Sequence, residues 1–362
     1  MKYIVILCDG MADEPLESLS GKTPLEAAKT LNMDRLAKNA EIGMVQTVPK
    51  GMSPGSDTAN LSVIGYDPKK YYSGRSPLEA LSIGAQMGDL DVSFRCNLVT
   101  LTEDEDCYEE RTILDHSSGE ISTELTPPHD ILTKKIGGYL PEDEVLREMM
   151  VKSYDILKDH PINIKRREEG KNPANSAWFW GAGTRPALTS FEEKNKVKGA
   201  MISAVDLLKG IAVGAEMDNI TVEGANGGLH TNYGGKAEAA VKALTEDGYD
   251  FVYVHIEAPD EMGHQGSTDD KIKAIELIDD LVIGPVAEGL EQAGEDYRML
   301  ILPDHPTPVR VRTHTGDPVP YMLYDSTNAV KGQDEYSERT AQKTGIFREK
   351  GDHMIDHLLE RE

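Results

Sequence analysis

Three apolar stretches of this chain end in an acidic residue or in an acidic residue with a histidine. The stretch YIVILCDG reaches Asp9, FVYVHIEAPDEMGH carries Asp260 and His264, and MLILPDH ends at Asp304 and His305. Carboxylate oxygens and imidazole nitrogens are the ligands that manganese and zinc take from proteins. Each residue alone could be a helix cap, a surface pair or part of a turn. The set as a whole predicts a metal site.

Two further side chains extend this set. His314 follows the third stretch in the Pro- and Gly-rich segment TPVRVRTHTGDPVPY, and Ser56 lies in PGSDTANLSV, just before a predicted helix over 58–64. A serine there could cap the helix through its hydroxyl, or it could receive a phosphoryl group above the helix amides. A hydroxyl on a metal ion loses its proton near neutral pH, as metal-bound water does. We therefore predict that Ser56 is a metal ligand and a nucleophile.

The segments that must position these residues alternate between strands and helices. The N-terminal stretch predicts a strand over 3–7, TPLEAAKTLNMDRLAKNA favours helices, and KGAMISAVDLLKGIAVGAEM favours a strand followed by a helix. This α/β alternation predicts a mostly parallel sheet sandwiched by helices. Ligands of such sheets bind beyond the carboxyl ends of the strands. Side chains far apart in sequence are therefore expected to meet at that edge.

The character of the sequence changes near Gly88. The stretch GDLDVSFRCNLVTLTEDEDCYEERTILDH predicts antiparallel strands with acidic turns, and EDEVLREMMVKSYDILKDH predicts a helix. We expect residues 88–169 to form a small inserted α+β cap subdomain. Residues 1–87 and 170–362 are expected to form the metal-binding core.

Composition narrows the classes of partner. The 362 residues carry a net charge of −25 with a pI near 4.8, which argues against binding nucleic acid or an anionic membrane surface. An acidic protein that handles an anionic substrate needs local positive charge, and bound metal ions would supply it. Three cysteines without CxxC spacing and no run of eighteen apolar residues predict neither disulfides nor a membrane span. A cytoplasmic location is expected, and the oligomeric state is left open.

Six stretches together resemble the alkaline-phosphatase superfamily: CDGM, TPLEAAKTLNMDRLAKNAEIG, PGSDTANLSVIGYDP, APDEMGHQG, LPDH and HTGDPVP. Within it they resemble the archaeal-type, 2,3-bisphosphoglycerate-independent (cofactor-independent) phosphoglycerate mutases. The resemblance implies an alkaline-phosphatase-like fold and interconversion of 3-phosphoglycerate and 2-phosphoglycerate through a phosphoserine at Ser56. It implies two divalent metal ions, usually manganese, with zinc or magnesium as alternatives. The implied ligand sets are Asp260, His264 and His314 for one ion, and Asp9, Ser56, Asp304 and His305 for the other.

The chain departs from the family pattern in the cap. An arginine-rich stretch similar to DRRAGR grips the substrate in such mutases, whereas here the corresponding residues 114–123 read LDHSSGEIST. The cap also looks shortened by a few tens of residues. The stretches NPANSAWFWGAG and SAVDLLKGIAVGAEM resemble a bacterial branch proposed to act as homoserine kinases. A phosphotransferase on another small hydroxyl substrate and a plain phosphomonoesterase therefore stay open as alternatives.

Few basic residues are left to bind the substrate's negative charge. Arg75 is the first candidate, because it follows a glycine turn near Ser56 in the sequence. For each candidate a solvated surface charge is an equally good interpretation. The candidates are Arg75, Arg95, Arg185, Lys236 and Arg312.

Overall fold

The computed structural model describes residues 1–88, 90–103, 105, 107–116, 125–126 and 128–361, apart from the side chains of residues 115, 116, 129 and 130. Most of the arginine-free stretch LDHSSGEIST, from residue 117 on, lies outside these described residues. The strands are β1 (Lys2–Cys8), β2 (Ala40–Val45), β3 (Val92–Leu101), β4 (Ile113–His116), β5 (Ser176–Thr184), β6 (Gly199–Ile202), β7 (Asp218–Asn219), β8 (Phe251–Ile256), β9 (Tyr297–Leu302), β10 (Val319–Asp325) and β11 (Phe347–Arg348).

The α-helices are α1 (Pro24–Ala27), α2 (Leu31–Ala37), α3 (Ser56–Val63), α4 (Pro68–Tyr71), α5 (Arg75–Ser82), α6 (Glu144–Leu157), α7 (Pro161–Glu168), α8 (Phe191–Asn195), α9 (Asp206–Gly214), α10 (Tyr233–Thr245), α11 (Ala258–Gln265), α12 (Thr268–Ile278), α13 (Gly284–Ala293), α14 (Glu338–Thr344) and α15 (Met354–Leu358). A π-helical turn over Asp279–Ile283 joins α12 to α13.

An eight-stranded sheet organises the described residues, with strand order β11-β2-β10-β9-β1-β8-β6-β7. All of its strand pairs are parallel except those of β10, which runs antiparallel to both β2 and β9. The predicted mostly parallel α/β sheet is thus confirmed. In β1, Leu7 pairs with His255 of β8 on one side and with Leu302 of β9 on the other. The carboxyl ends of these three strands therefore lie together at one edge of the sheet.

The three central strands are held by burial. Ile4, Ile6 and Cys8 alternate along β1 and share one apolar core with Ile275 and Val282 from the helical segments that follow α11. Each fully buried aliphatic side chain contributes roughly 1.5–3 kcal/mol relative to an exposed one. The strand ends that carry the site are therefore anchored in a fully buried apolar core. Among the described residues, no helix combines the length and the apolar character needed to cross a bilayer.

The chain divides into two compact units. Unit 1 comprises Met1–Tyr72 and Ala187–Glu362 and contains the eight-stranded sheet. Unit 2 comprises Ser73–Pro186 and contains the antiparallel sheet β4-β3-β5. The predicted boundaries at 88 and 169 differ from this division, because β5 pairs with β3 and α5 packs against both strands. Residues 73–87 and 170–186, assigned from the sequence to the core, belong to unit 2.

Candidate metal centre

Four of the predicted side chains converge where β1 and β9 end. His305 Nε2 lies 3.3 Å from Asp304 Oδ2 and 3.6 Å from Asp9 Oδ1. The same nitrogen lies 3.1 Å from the hydroxyl oxygen of Ser56, the first residue of α3. A loop between β2 and α3 thus carries the serine to the ends of two strands that neighbour each other in the sheet.

The other three predicted ligands form an adjoining group. Asp260 and His264 lie one turn apart on α11, with Asp260 Oδ2 and His264 Nε2 separated by 3.2 Å. His314 Nε2 lies 3.4 Å from Asp260 Oδ1 and 2.9 Å from His264 Nε2. The rings of His305 and His314 stack at 3.9 Å between centroids, so the two groups share a border. Two groups of three side chains have ligand atoms that all lie within 4.8 Å of one another. One group is Asp260, His305 and His314, and the other is Asp9, Asp304 and His305.

The chemistry of these groups fits a divalent cation. Asp9 Oδ1 is buried and has no hydrogen-bond partner among the described residues. Burial and the neighbouring charge of Asp304 raise the pKa of Asp9 well above its usual range, because both disfavour a second negative charge here. A divalent cation bound beside Asp9 would favour its ionised form. His264 Nδ1 lies 3.0 Å from the carbonyl oxygen of Arg312. A proton donated to that carbonyl leaves the lone pair of Nε2 for a metal ion.

A glycine lets the two groups approach each other. Gly10 has a φ of +61°, and a Cβ atom at this position would lie 2.5 Å from Asp260 Oδ1. Its backbone N–H donates to Asp304 Oδ1 at 3.2 Å. Glycine is therefore required at this position of CDGM, because both the positive φ and the close approach of Asp260 exclude a side chain.

Several residues that the sequence interpretation missed support the predicted ligands. Asn60, one turn after Ser56 on α3, donates through Nδ2 to Asp304 Oδ2 at 2.9 Å. His255 of β8 lies with Nε2 2.8 Å from Asp9 Oδ2, and burial lowers the pKa of His255 to about 3, so the ring is neutral. The only sequence signal for the contact between His255 and Asp9 was a histidine within the apolar stretch FVYVHI.

A buried ion pair ties together the loops that follow β1 and β9. Lys271 of α12 and Asp13 are both fully buried at their charged ends, and Lys271 Nζ lies 2.8 Å from Asp13 Oδ2. Nζ also donates to the carbonyl oxygens of Thr307 at 2.8 Å and of Ala12 at 3.2 Å. The Thr307 hydroxyl in turn donates to Asp260. This lysine therefore holds the backbone that follows Asp9 and the backbone that follows His305.

A second buried carboxyl, that of Glu338, lies behind the same loop. It accepts hydrogen bonds from the Asp13 backbone N–H at 3.1 Å and from the Thr23 hydroxyl at 2.7 Å. Burial raises the pKa of Glu338 to about 7 from an ordinary value of 4.5. The folded state thus binds this proton more tightly than the unfolded state does.

Replacement of Glu338 by glutamine is expected to flatten the pH dependence of stability. In the natural protein the stabilisation is complete below pH 4.5 and is lost as pH rises through about 7, because the raised pKa belongs to the folded state. The loss amounts to about 3 kcal/mol at most. Urea unfolding of metal-free protein between pH 5 and 8 measures it. Equal slopes for the natural protein and Glu338→Gln would contradict the assignment.

Two of the predicted substrate-binding arginines share one carboxylate in unit 2. Arg75 Nε and Arg95 Nε each lie 2.8 Å from an oxygen of Glu79. The guanidinium of Arg95 also stacks over Trp180, which is fully buried. Arg185 is exposed, with Nη1 3.4 Å from the Met87 carbonyl oxygen. Their role in substrate binding stays a prediction.

The two remaining candidates lie in unit 1. Lys236 of α10 is buried and donates to the carbonyl oxygen of His255 at 2.8 Å. Burial lowers its pKa to about 8, against an opposing effect of Glu257. Arg312 is exposed and sits against Gly266, while its carbonyl meets His264. These contacts place both residues next to metal-centre residues or their supports.

Comparisons with known proteins agree on one family. A model of the metalloenzyme superfamily matches residues 1–360. The 2,3-bisphosphoglycerate-independent phosphoglycerate mutase of Methanothrix thermoacetophila is 43% identical, covering 99% of this chain and all of the relative. The probable enzyme of the same name from Geobacter sulfurreducens is 45% identical, with both chains covered completely. A solved Pyrococcus horikoshii protein is similar with a TM-score of 0.82 and 33% identity, covering all of this chain and 98% of the other.

The alignments also bear on the length of the chain. The alignment with the Methanothrix relative runs over 392 positions, 30 more than the 362 residues present here. At least that many positions of the relative therefore have no counterpart in this chain. The amount agrees with the expected shortening, and its placement in the cap stays a prediction.

Proposed function

Because the chain belongs to the metalloenzyme superfamily, and within it to the 2,3-bisphosphoglycerate-independent phosphoglycerate mutases, we propose that it transfers a phosphoryl group by way of Ser56. It is a metal-dependent mutase that interconverts 3-phosphoglycerate and 2-phosphoglycerate. The observation that carries the proposal is the convergence of Ser56 Oγ with His305, 3.1 Å away, at the strand ends that also carry Asp9 and Asp304. A lone helix-capping serine would have no reason to face these groups.

The position of Ser56 suits a nucleophile. As the first residue of α3 it lies at the positive end of the helix dipole, which favours the negative charge of a phosphoryl group on Oγ. Bound divalent cations would supply further charge stabilisation and ease loss of the hydroxyl proton. Asp9, Asp304 and His305 would hold one cation with Ser56, and Asp260, His264 and His314 would hold the other.

The reaction then consists of two phosphoryl transfers in opposite directions. Ser56 Oγ forms a bond to phosphorus as the bond from phosphorus to the C3 oxygen of the substrate breaks, and the serine proton ends on that oxygen. The glycerate reorients in the site. Its C2 oxygen then forms a bond to phosphorus as the bond to Oγ breaks, and the C2 hydroxyl proton returns to the serine. The enzyme is regenerated without any second phosphorylated cofactor.

The donor set indicates which metal ion to supply. Three carboxylates, three imidazoles and one hydroxyl contain no thiolate, which favours manganese over softer ions, with zinc and magnesium as alternatives. We propose manganese as the working metal. A cytoplasmic location stays a prediction, as does the oligomeric state.

Removal of metal is expected to abolish mutase activity. Protein stripped with a chelator and dialysed should show background rates in an enolase-coupled assay with 3-phosphoglycerate, and Mn²⁺ should restore them. Bound metal is counted in parallel by mass spectrometry. Undiminished activity at less than one equivalent of metal would contradict the proposal.

Two further assays on the same protein separate the alternatives left open by the cap. Phosphate release without 2-phosphoglycerate would indicate a phosphomonoesterase, and nucleotide-dependent phosphorylation of homoserine would indicate a kinase. Neither is favoured by the two relatives described above, since both are named for the mutase reaction. We expect 2-phosphoglycerate as the product.

A further inference from the structure

We infer that Tyr253 and His255, two alternate residues of β8, are positioning residues that orient the carboxylates of Asp304 and Asp9 for a metal ion. The inference rests on the proposed metal centre and assigns to this strand a role beyond sheet formation. Both side chains are fully buried. Because they lie two residues apart on one strand, they point to the same face of the sheet.

The first connection runs from Tyr253 through Asn60. The tyrosine hydroxyl donates to Asn60 Oδ1 at 2.7 Å. Asn60 Nδ2 then donates to Asp304 Oδ2 at 2.9 Å and to the carbonyl oxygen of Ser56 at 2.8 Å. An amide can turn over and exchange its oxygen and nitrogen. The reverse orientation would place Asn60 Oδ1 against two acceptors, so Nδ2 faces Asp304 and the Ser56 carbonyl. The Tyr253 hydroxyl holds this orientation by donating to Oδ1.

The second connection runs from Ser203 through His255. Ser203 Oγ accepts from the Val205 backbone N–H at 3.0 Å and lies 3.2 Å from His255 Nδ1. His255 Nε2 lies 2.8 Å from Asp9 Oδ2, which can only accept when ionised. With Asp9 ionised as a metal ligand, Nε2 must donate to Oδ2. The Ser203 hydroxyl, whose oxygen already accepts from Val205, is then placed to donate to Nδ1. The tautomer of His255 is thereby set from the side away from the metal centre.

These contacts engage one oxygen of Asp9 and both oxygens of Asp304. His255 takes Asp9 Oδ2, and Asp9 Oδ1 stays buried without a hydrogen-bond partner among the described residues. Asp304 receives backbone N–H groups of Gly10 and His305 at Oδ1, while Asn60 directs Oδ2 towards His305 Nε2 at 3.3 Å. Asp9 Oδ1 and Asp304 Oδ2 thus both lie beside His305 Nε2, at 3.6 Å and 3.3 Å, where a metal ion would contact them. Such outer partners typically change metal affinity by about 10- to 100-fold.

Tyr253→Phe, which removes one oxygen atom, is the decisive variant. We expect titration with Mn²⁺, followed by the electron paramagnetic resonance of free Mn²⁺, to show one of two sites weakened by about 10- to 100-fold. The mutase kcat should fall at limiting Mn²⁺ with little change in KM, and excess Mn²⁺ should restore part of it. His255→Leu should weaken the same site, and His255→Gln, which keeps an N–H donor near Nε2, should recover part of the affinity.

The matched control is Tyr66→Phe. Tyr66 is also fully buried, and its hydroxyl donates to the Thr189 carbonyl oxygen at 2.7 Å, with no metal-centre carboxylate among its partners. Its loss should lower stability without changing either Mn²⁺ affinity. If Tyr253→Phe behaves like this control, the side chain is merely structural and the inference is overturned.

The failures are distinguishable. Natural protein that binds two Mn²⁺ ions, with Tyr253→Phe binding them equally well, refutes this inference alone. Natural protein that binds less than one equivalent refutes it together with the proposed metal centre. Should His255→Leu fail to fold, Tyr253→Phe still decides the matter.

Discussion

Replacement of Ser56 by alanine is expected to lower mutase activity by ~10⁴-fold or more, the scale on which loss of a nucleophile acts. The Ser56 hydroxyl faces His305 at 3.1 Å and opens helix α3, and no other hydroxyl among the described residues is placed within hydrogen-bond distance of His305 Nε2. Loss of one ligand atom should also weaken one metal ion. The enolase-coupled rate and the bound metal are measured on the same preparation.

Trapping of the phosphoryl group adds a direct test. Natural protein quenched in acid during turnover should carry one phosphoryl group on the peptide that contains Ser56, and Ser56→Ala should carry none. Ser62→Ala is the matched control: Ser62 is buried on the same helix, and its hydroxyl has no partner among the described residues. It should retain activity. Phosphoglycerate turnover by Ser56→Ala at the natural rate would remove the serine from the mechanism.

The convergence of the candidate ligands could be predicted because it follows from sheet geometry. Asp9 and Asp304 come directly after apolar stretches, and parallel strands that neighbour each other end at the same edge. Sheet geometry alone could not place His314, because this residue reaches the site through an irregular loop and not at the end of a strand. Its assignment depended on residue type and on the resemblance to the mutases.

The supporting residues could not be predicted in the same way. Asn60 and Tyr253 reveal their roles only through a contact 193 residues apart, which no local period encodes. The predicted boundaries at 88 and 169 differ from the bounds of unit 2 for a similar reason, since β5 pairs with β3 across about 80 residues of sequence and so draws its flanks into that unit. The π-helical turn over Asp279–Ile283 was not predicted either, and its first residue, Asp279, accepts the backbone N–H of the sequence-distant Met33 at 2.7 Å.

Replacement of Lys271 by methionine is expected to destabilise unit 1 by about 3–5 kcal/mol, because it leaves the Asp13 charge buried without its partner. The side chains of both residues are completely inaccessible, and Lys271 also satisfies the carbonyl oxygens of Ala12 and Thr307. Metal affinity should fall as well, since both loops carry or contact candidate ligands. Urea unfolding should be followed by circular dichroism, because Trp178 and Trp180 both lie in unit 2 and report on that unit.

Lys273→Met provides the matched control on the same helix. Lys273 is 57% exposed, and its ammonium lies 3.8 Å from Glu276, so its removal should change stability by less than about 0.5 kcal/mol. The double variant Lys271→Met with Asp13→Asn should recover part of the loss, because the neutral amide no longer buries an unpaired charge. If Lys271→Met were as stable as Lys273→Met, the two loops would be held in place by packing alone. The buried pair would then have no part in shaping the metal centre.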